Sequence, residues 1–305
     1  MQRYILGRLV QSFAIIIVIV LLVFFAGRLT GDPILLLAPE DAEQSDIQRI
    51  REHHGLDLPV HEQLWRFIGS AARGDFGQST QSNAGAMDLV IERVPNTFKL
   101  GAVAVAIALA ISIPVGVMSA VKRDSLLDRV GKLIAITGQG MPDFWLGLML
   151  MMGIAYYLGL LPIAGSDSWL HIILPAFTVG WSISAPIMRI ARSSMLNVMD
   201  SEYIAFARSK GFSNSEVIIK HGLKNAAIPV ITVAAIYTAA VLRGTVVVET
   251  VFAWPGVGRL AVESTFDRDF PVLQATILFM AFIFVGINFL VDVAYAYVDP
   301  RIRYK

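Results

Sequence analysis

The sequence predicts an all-α membrane protein with six transmembrane helices, and three observations predict it. The 305-residue chain is 55% hydrophobic and only 16% charged, with a mean hydropathy of +0.63; soluble domains carry about 25% charged residues. Six apolar segments approach or reach the ~20 residues that a helix needs to cross a hydrocarbon core of ~30 Å. Lysine and arginine crowd into alternate connections. This composition excludes a disordered chain, a collagen and an ordinary soluble enzyme. A formal net charge of +1, from 25 basic and 24 acidic residues, gives no sign of a nucleic-acid partner. The chain has no cysteine, which removes disulfides, thiolate metal sites and thiol catalysis.

Span one covers residues 9–26, with an unbroken apolar run over 14–26. The segment 9–26 as a whole is longer than a signal-peptide core (roughly 7–15 residues), and Gly27-Arg28-Leu29 follows it where an Ala-x-Ala site would stand, so it reads as a retained anchor. Next comes the segment 32–93, with eleven Asp/Glu and five Arg, too long for a linker and predicted to be a helical extracytoplasmic insertion. Ser45 suits the N-cap of a helix over 46–54, and Gly55 its stop. Pro59 suits the first position of a second helix through Ala72. There Leu64, Phe67, Ile68 and Ala71 recur at helical spacing and Trp65 flanks the stripe. Such an amphipathic pair covers either its own spans or an external partner.

Span two is 100–121, with Pro114 in its second half. Span three, 144–161, follows the half-polar stretch Thr137-Gly-Gln-Gly-Met-Pro-Asp143. Span four, 172–188, is short and holds Pro175 and Pro186. Span five, 228–248, is interrupted by Arg243, and span six, 273–298, contains Asn288 and Asp292. Prolines inside spans loosen helices where gating uses it.

Residues 189–227, between spans four and five, read as two short helices with a sharp joint. Asp200 or Ser201 caps the first, over 202–210, and Gly211 stops it. Ser213-x-x-Glu216 is a capping box for the second, with Phe212 and Val217 placed for a hydrophobic staple. The first helix is too short to be stable alone in water. It presents Tyr203, Ile204, Phe206 and Ala207 beside Arg208 and Lys210, so something packs on it, either a partner or its own membrane domain.

Six spans place both termini on one side. The connections assigned to the cytoplasm hold Arg3, Arg8, Lys122, Arg123, Arg129, Lys132, Arg189, Arg192, Arg208, Lys210, Lys220, Lys224, Arg301, Arg303 and Lys305; the short opposite loops hold only Arg259 and Arg268. Basic bias in short loops sets orientation, so both ends are predicted to be cytoplasmic.

Asp143, Arg243 and Asp292 fall at or within membrane depth, where charge faces a bundle interior or a water path. Asp292, near a span end, suits a structural ion pair. Arg243 suits a vestibule that meets a polar or anionic substrate, with Asp143 as a second path residue. The alternative is an ion-coupled secondary transporter using all three as a relay. Familiar catalytic devices are missing. The sequence has no Gly-x-x-x-x-Gly-Lys-[Ser/Thr] loop, no Gly-x-Ser-x-Gly turn and no His-Glu-x-x-His helix. Neighbours His53 and His54 point about 100° apart on a helix and do not share a metal.

Several stretches carry a resemblance. Glu202-Tyr-Ile-Ala-Phe-Ala-Arg-Ser-Lys-Gly211, followed by His221-Gly-Leu-Lys-Asn225 and Ile228-Pro229, resembles the cytoplasmic coupling loop of bacterial ABC-importer permeases. Gly31-Asp32-Pro33, Gly74-Asp-Phe-Gly77, Val248-Glu-Thr-Val-Phe-Ala-Trp-Pro-Gly-Val-Gly-Arg259 and Val298-Asp-Pro-Arg-Ile-Arg303 are similar to the B-type permease of the dipeptide/oligopeptide/nickel/glutathione uptake family. The general importer pattern Glu-Ala-Ala-x-x-x-Gly, set on Gly211, places Ala205, Phe206 and Ala207 under its first three positions, so its acid is absent.

The resemblance implies the ABC-importer permease fold, a peptide or peptide-like solute, and a multi-pass place in the bacterial inner membrane. It implies a homologous C-type permease partner, two cytoplasmic ATPase subunits that hold ATP and Mg, and an extracytoplasmic solute-binding protein. The chain itself would be non-catalytic and hold no cofactor. Glu202, Tyr203, Ala205, Phe206, Ala207, Arg208, Lys210 and Gly211 would contact the ATPase, and Trp65, Phe76 and Trp254 the binding protein.

Overall fold

A computed structural model describes residues 2–29, 44–53 and 57–298. Among these the chain is helical, apart from turns and a single β-bridge between Gln78 and Gly85. It divides into two compact units, one of residues 1–95 with 256–305 and one of residues 96–255.

In the first unit, α1 (Gln2–Leu29) packs along α11 (Phe270–Val298). Arg8 at one end of α1 pairs with Asp292 at 3.4 Å. The insertion supplies α2 (Gln44–His53) and α3 (Val60–Ala72). α2 starts one residue before Ser45, so Ser45 lies inside the helix and not at its cap; Gly31-Asp32-Pro33, His54 and Gly55 lie outside the described residues. α3 lays its Phe67 against Phe24 of α1 and against Phe76, with ring centroids 5.6 and 6.5 Å apart. Arg28 donates to Gln63. The predicted amphipathic stripe thus covers the chain's own first span.

Gly74-Asp-Phe-Gly77 is a turn: both glycines have positive φ (73° and 82°), and Asp75 Oδ1 accepts from the Gly77 N–H. α10 (Val257–Phe266) completes this unit, whose core joins Ala86, Val90, Val257, Leu260, Val272 and Ala275. Buried Asp269 accepts from the Ser79 hydroxyl at 2.5 Å and from the Val272 N–H, closing the first turn of α11.

α4 (Ala86–Val121) begins fourteen residues before the predicted start of span two, so the last residues assigned to the insertion, 86–93, already belong to this helix. In the second unit α5 (Leu126–Gly140) follows, a helix where the sequence pattern predicts only a connection ending in a half-polar stretch. Only Met141 and Pro142 separate it from α6 (Asp143–Leu150), which continues as a π-helix through Tyr157. The predicted third span is therefore helical only to Tyr157, about 22 Å at ~1.5 Å per residue.

α7 (Ile173–Met199), entered through a 3₁₀ turn (Trp169–Ile172), runs eleven residues past the predicted limit of span four, so Arg189 and Arg192 belong to the helix. Pro186 sits within it. α8 (Glu202–Ser209) and α9 (Lys224–Val251) follow. Ile5–Arg28, Ala86–Val121, Trp169–Met199, Asn214–Thr238 and Phe270–Val293 are long and apolar enough to cross a membrane; Asp143–Tyr157 is a shorter apolar helix.

Small residues set the spacing of this bundle. A Cβ at Gly180 of α7 would lie 2.7 Å from the Ala104 carbonyl of α4, and one at Gly116 of α4 would lie 2.8 Å from Ala191 of α7. Without a hydrophobic driving force between helices in lipid, such close backbone approach is what holds spans together. The outer faces of α1, α5 and α6 stay apolar and exposed, including Leu9, Phe13, Leu133, Ile136 and Leu148.

Candidate functional site

The joint between α7 and α9 is built from local signals. Ser201 occupies the N-cap of α8, but its hydroxyl donates back to the Val198 carbonyl instead of capping the helix. α8 stops where predicted: Gly211 has φ +82° and its N–H donates to the Arg208 carbonyl. The capping box forms in full. Ser213 Oγ accepts from the Glu216 N–H, while the Glu216 carboxylate accepts from the Ser213 N–H at 3.0 Å and from its hydroxyl at 2.8 Å. Past this box the chain makes a π-helical stretch, Val217–Leu223, before α9.

Half of the predicted apolar face of α8 turns inward. Ile204, Ala207 and Val217 are buried together against Val198 and Met199. Burial of a large aliphatic group is worth roughly 1.5–3 kcal/mol, and it fastens a helix too short to persist alone. Ala207 is therefore an anchor and not a surface contact. The outward face carries Glu202, Ala205, Phe206 and Ser209, at i, i+3, i+4 and i+7. Phe206 is 61% exposed, and the Lys210 ammonium lies 4.6 Å from its ring centroid. Arg208, Lys210 and Gly211 are exposed beside it. Tyr203 ties the helix to α9: its hydroxyl accepts from Asn225 at 2.9 Å and donates to the His221 carbonyl. Phe212 rests beside the His221 ring at 5.1 Å.

Among the other predicted site residues, Trp65 is 70% exposed on α3 and Phe76 is half-buried in the core of its unit. Trp254 is corrected: it is 2% exposed, and its indole N–H donates to the Asn96 carbonyl at 3.0 Å. Its backbone N–H reaches back to the Glu249 carbonyl at 2.8 Å and Ala253 takes φ +50°, the hydrogen-bond pattern of a Schellman stop. Asn96 Nδ2 donates to the Pro255 carbonyl, so the Phe-Ala-Trp-Pro stretch is a packing knot that leaves Trp254 no face to offer. Asp143 is half-buried at the start of α6, facing Ser182. Arg243 lies on α9 with its side chain outside the described residues. Asp292 is engaged by Arg8, as a structural pair near a span end would be. Among the described residues no group of three His, Asp or Glu side chains is placed to hold a metal.

One cluster lies outside all the predicted site residues. Asp128, fully buried in the first turn of α5, accepts from Arg192 Nε and Nη2 at 2.8 and 3.0 Å, from Ser119 Oγ at 2.6 Å and from the Asp124 N–H at 3.1 Å. Lys132 Nζ stands 2.9 Å away. The Arg192 guanidinium, then Ser119, Lys132 and the Asp124 amide, hold this carboxyl far below the usual carboxylate range, against burial, which pushes it up. Ser125 at the N-cap accepts from the Asp128 N–H. The Ser125-x-x-Asp128 spacing was the available signal.

Residues 112–304 match the family of binding-protein-dependent transport system inner membrane components, and residues 1–101 match its N-terminal membrane-component region. The chain is 40% identical to glutathione transport system permease proteins GsiC of Salmonella paratyphi A and Escherichia coli K12, with all of both chains covered. Among solved structures, it is similar to the inward-facing MetNI methionine ABC transporter (TM-score 0.56, 19% identity, 70% of this chain and 97% of that one). It is also similar to an amino acid ABC transporter crystallised with histidines (TM-score 0.53, 16% identity, 68% of this chain and 92% of that one).

Proposed function

The chain belongs to the family of binding-protein-dependent transport system inner membrane components, and from that premise we propose that it carries a peptide-like solute of the glutathione class, driven through the joint at α8. It is a multi-pass inner-membrane permease subunit of an ABC importer, and it is non-catalytic, since ATP hydrolysis lies on partner subunits. Membership implies a permease partner, ATPase subunits and a substrate-binding protein. The finer assignments are our reading. They are a C-type permease as the other half, two ATPases that each grip one coupling helix and hold ATP and Mg, and an extracytoplasmic binding protein. Both termini face the cytoplasm, as the placement of lysine and arginine supports.

The coupling assignment is carried by the joint: a short helix anchored inward through Ile204 and Ala207, with an aromatic and cationic outer face at Phe206, Arg208 and Lys210. Glu202, Tyr203, Ala205 and Gly211 complete that face. A helix so held moves with the ends of α7 and α9. Alternating access is then an exchange between two packings of rigid elements, biased by nucleotide on one side and the binding protein on the other. Trp65 is the docking candidate that remains exposed, and Asp143 and Arg243 are the path candidates. The substrate class is supported by the glutathione permeases that match along the whole chain. The alternative of an ion-coupled carrier loses Asp292 to Arg8.

The test is uptake of labelled glutathione by the reconstituted complex. The complete assembly is expected to import only with ATP and binding protein, and dipeptides in excess to compete. Gly211→Asp is expected to abolish uptake while the chain stays in the membrane. Aspartate tolerates positive φ better than most residues, so that loss reports the added carboxylate among Arg208 and Lys210. Normal uptake by that variant would overturn the coupling assignment. Transport by this chain alone on an ion gradient would overturn the ATP-driven reading.

A further inference from the structure

We infer that Asp128 and Arg192 are a positioning pair that locks the start of α5 to the last third of α7, so that a push on α8 also drives α5 and α6. This rests on the reading of α8 as the coupling helix. Three observations carry it.

A buried ion pair is a poor way to gain stability, because apolar side chains of equal volume fill the same space as well or better. What the pair supplies is direction. The two-pronged contact of Arg192 Nε and Nη2 on the two Asp128 oxygens fits only one register of the helices. Ser119 Oγ and the Asp124 N–H occupy further acceptor sites, so the carboxylate is fixed from α4 and from its own cap as well.

The same stretch of α7 holds the joint. Met195, one turn beyond Arg192, is fully buried and closes on Gly222, where a Cβ would lie 2.6 Å from the methionine methyl. Ala191, beside Arg192, abuts Gly116 of α4. Displacement of the joint therefore meets Met195, and the neighbouring turn passes it to Asp128.

Beyond Asp128, α5 leads through Met141 and Pro142 directly into α6 and Asp143. Its outer face, with Leu126, Leu133 and Ile136, is exposed and apolar. The helix is thus steered from its inner side, and Asp128 is the charged grip on that side.

Because the chain has no cysteine, Arg129→Cys and Ser193→Cys, both exposed and flanking the pair, are its only thiol sites for spin labels, and the labelled chain is reconstituted into the full importer with partner subunits freed of cysteine. One narrow label-to-label distance is expected, the same in the resting state and in a state trapped with non-hydrolysable ATP. A distance that shifts between those states in the otherwise wild-type chain would overturn the inference, whatever any variant does. In Asp128→Asn the distribution is expected to broaden. ATP hydrolysis per assembled complex should persist, while uptake per complex falls about tenfold, the size of an ordinary coupling loss. If uptake per assembled complex instead stays at the wild-type level, the pair is only structural and the inference fails. If Asp128→Asn does not assemble, the wild-type distances alone decide. A wild-type importer that ignores ATP would sink the functional reading while leaving the distance result standing.

Discussion

The joint at α8 and the ion cluster at Asp128 sit a few turns apart along α7, and they are held in opposite ways. The joint is fixed by neighbours in sequence: Gly211 stops one helix and Ser213 with Glu216 starts the next, three residues apart. The cluster is fixed across 64 residues, by Arg192 reaching back to Asp128. The first kind of hold is cheap, local and exposed, and it leaves a helix free to be gripped from outside. The second is buried and directional, and it suits a part that must not slip. A subunit that receives force at one place and delivers it at another needs both.

The largest expected effect breaks the cluster. Arg192→Ala leaves a buried carboxylate with one cation, and stranding a buried charge in this way costs about 3–5 kcal/mol. For a chain of this size that lowers Tm by on the order of 10 °C, read from thermal unfolding of the purified permease. The double change Asp128→Leu with Arg192→Met removes both charges and is expected to restore most of that stability, while uptake stays low because the register is lost. A double variant as unstable as the single one would mean that the pair holds no charge in check.

This contrast also explains what could be read in advance. The joint was legible because capping and glycine stops act between neighbours, and the Ser213–Glu216 box and the Gly211 stop appear where their spacing placed them. For α8 the sequence leaves open whether its apolar residues pack on the chain itself or on a partner, and the structure divides them, with 204 and 207 inward and 206 outward, as helical spacing separates them. α5 was hidden by Asp128, Arg129 and Lys132, which lower the apolar average of a helix whose buried carboxylate is neutralised from elsewhere in the fold. The overrun of α7 past Met188 has the same origin, since Arg192 is read as a loop charge until its partner is known. Trp254 looked exposed because a turn-rich Trp-Pro-Gly stretch suggests a surface. Its burial depends on Asn96 and on a left-handed Ala253, neither visible as a pattern.

A smaller effect sharpens the comparison from the joint's side. Ser213→Ala removes the hydroxyl that accepts from the Glu216 N–H and donates to its carboxylate, a cap worth about 1 kcal/mol. Because this loss is local, Tm of the whole permease is expected to move by no more than a few degrees. Hydrogen exchange of the amides over 213–217 should nonetheless quicken about fivefold, the factor that ~1 kcal/mol gives in a local opening equilibrium. A drop in Tm as large as that of Arg192→Ala would erase the distinction between a local and a long-range hold.

The smallest effect is an expected constancy. The folded carboxyl of Asp128 is held far below its ordinary range, and a group so depressed adds stability at every pH above its unfolded value of ~3.9, losing it only as pH falls toward the folded value. Between pH 8 and pH 5 the fork therefore stays charged, and the gap in Tm between the wild type and Asp128→Asn is expected to stay level across that window, narrowing only below about pH 4. The wild-type label distance across Arg129→Cys and Ser193→Cys should hold over the same range. A gap that narrowed between pH 8 and pH 6 would mean that a group titrating near neutrality, and not this carboxylate, sets the register of α5 on α7. The rigid half of the comparison would then need a different anchor.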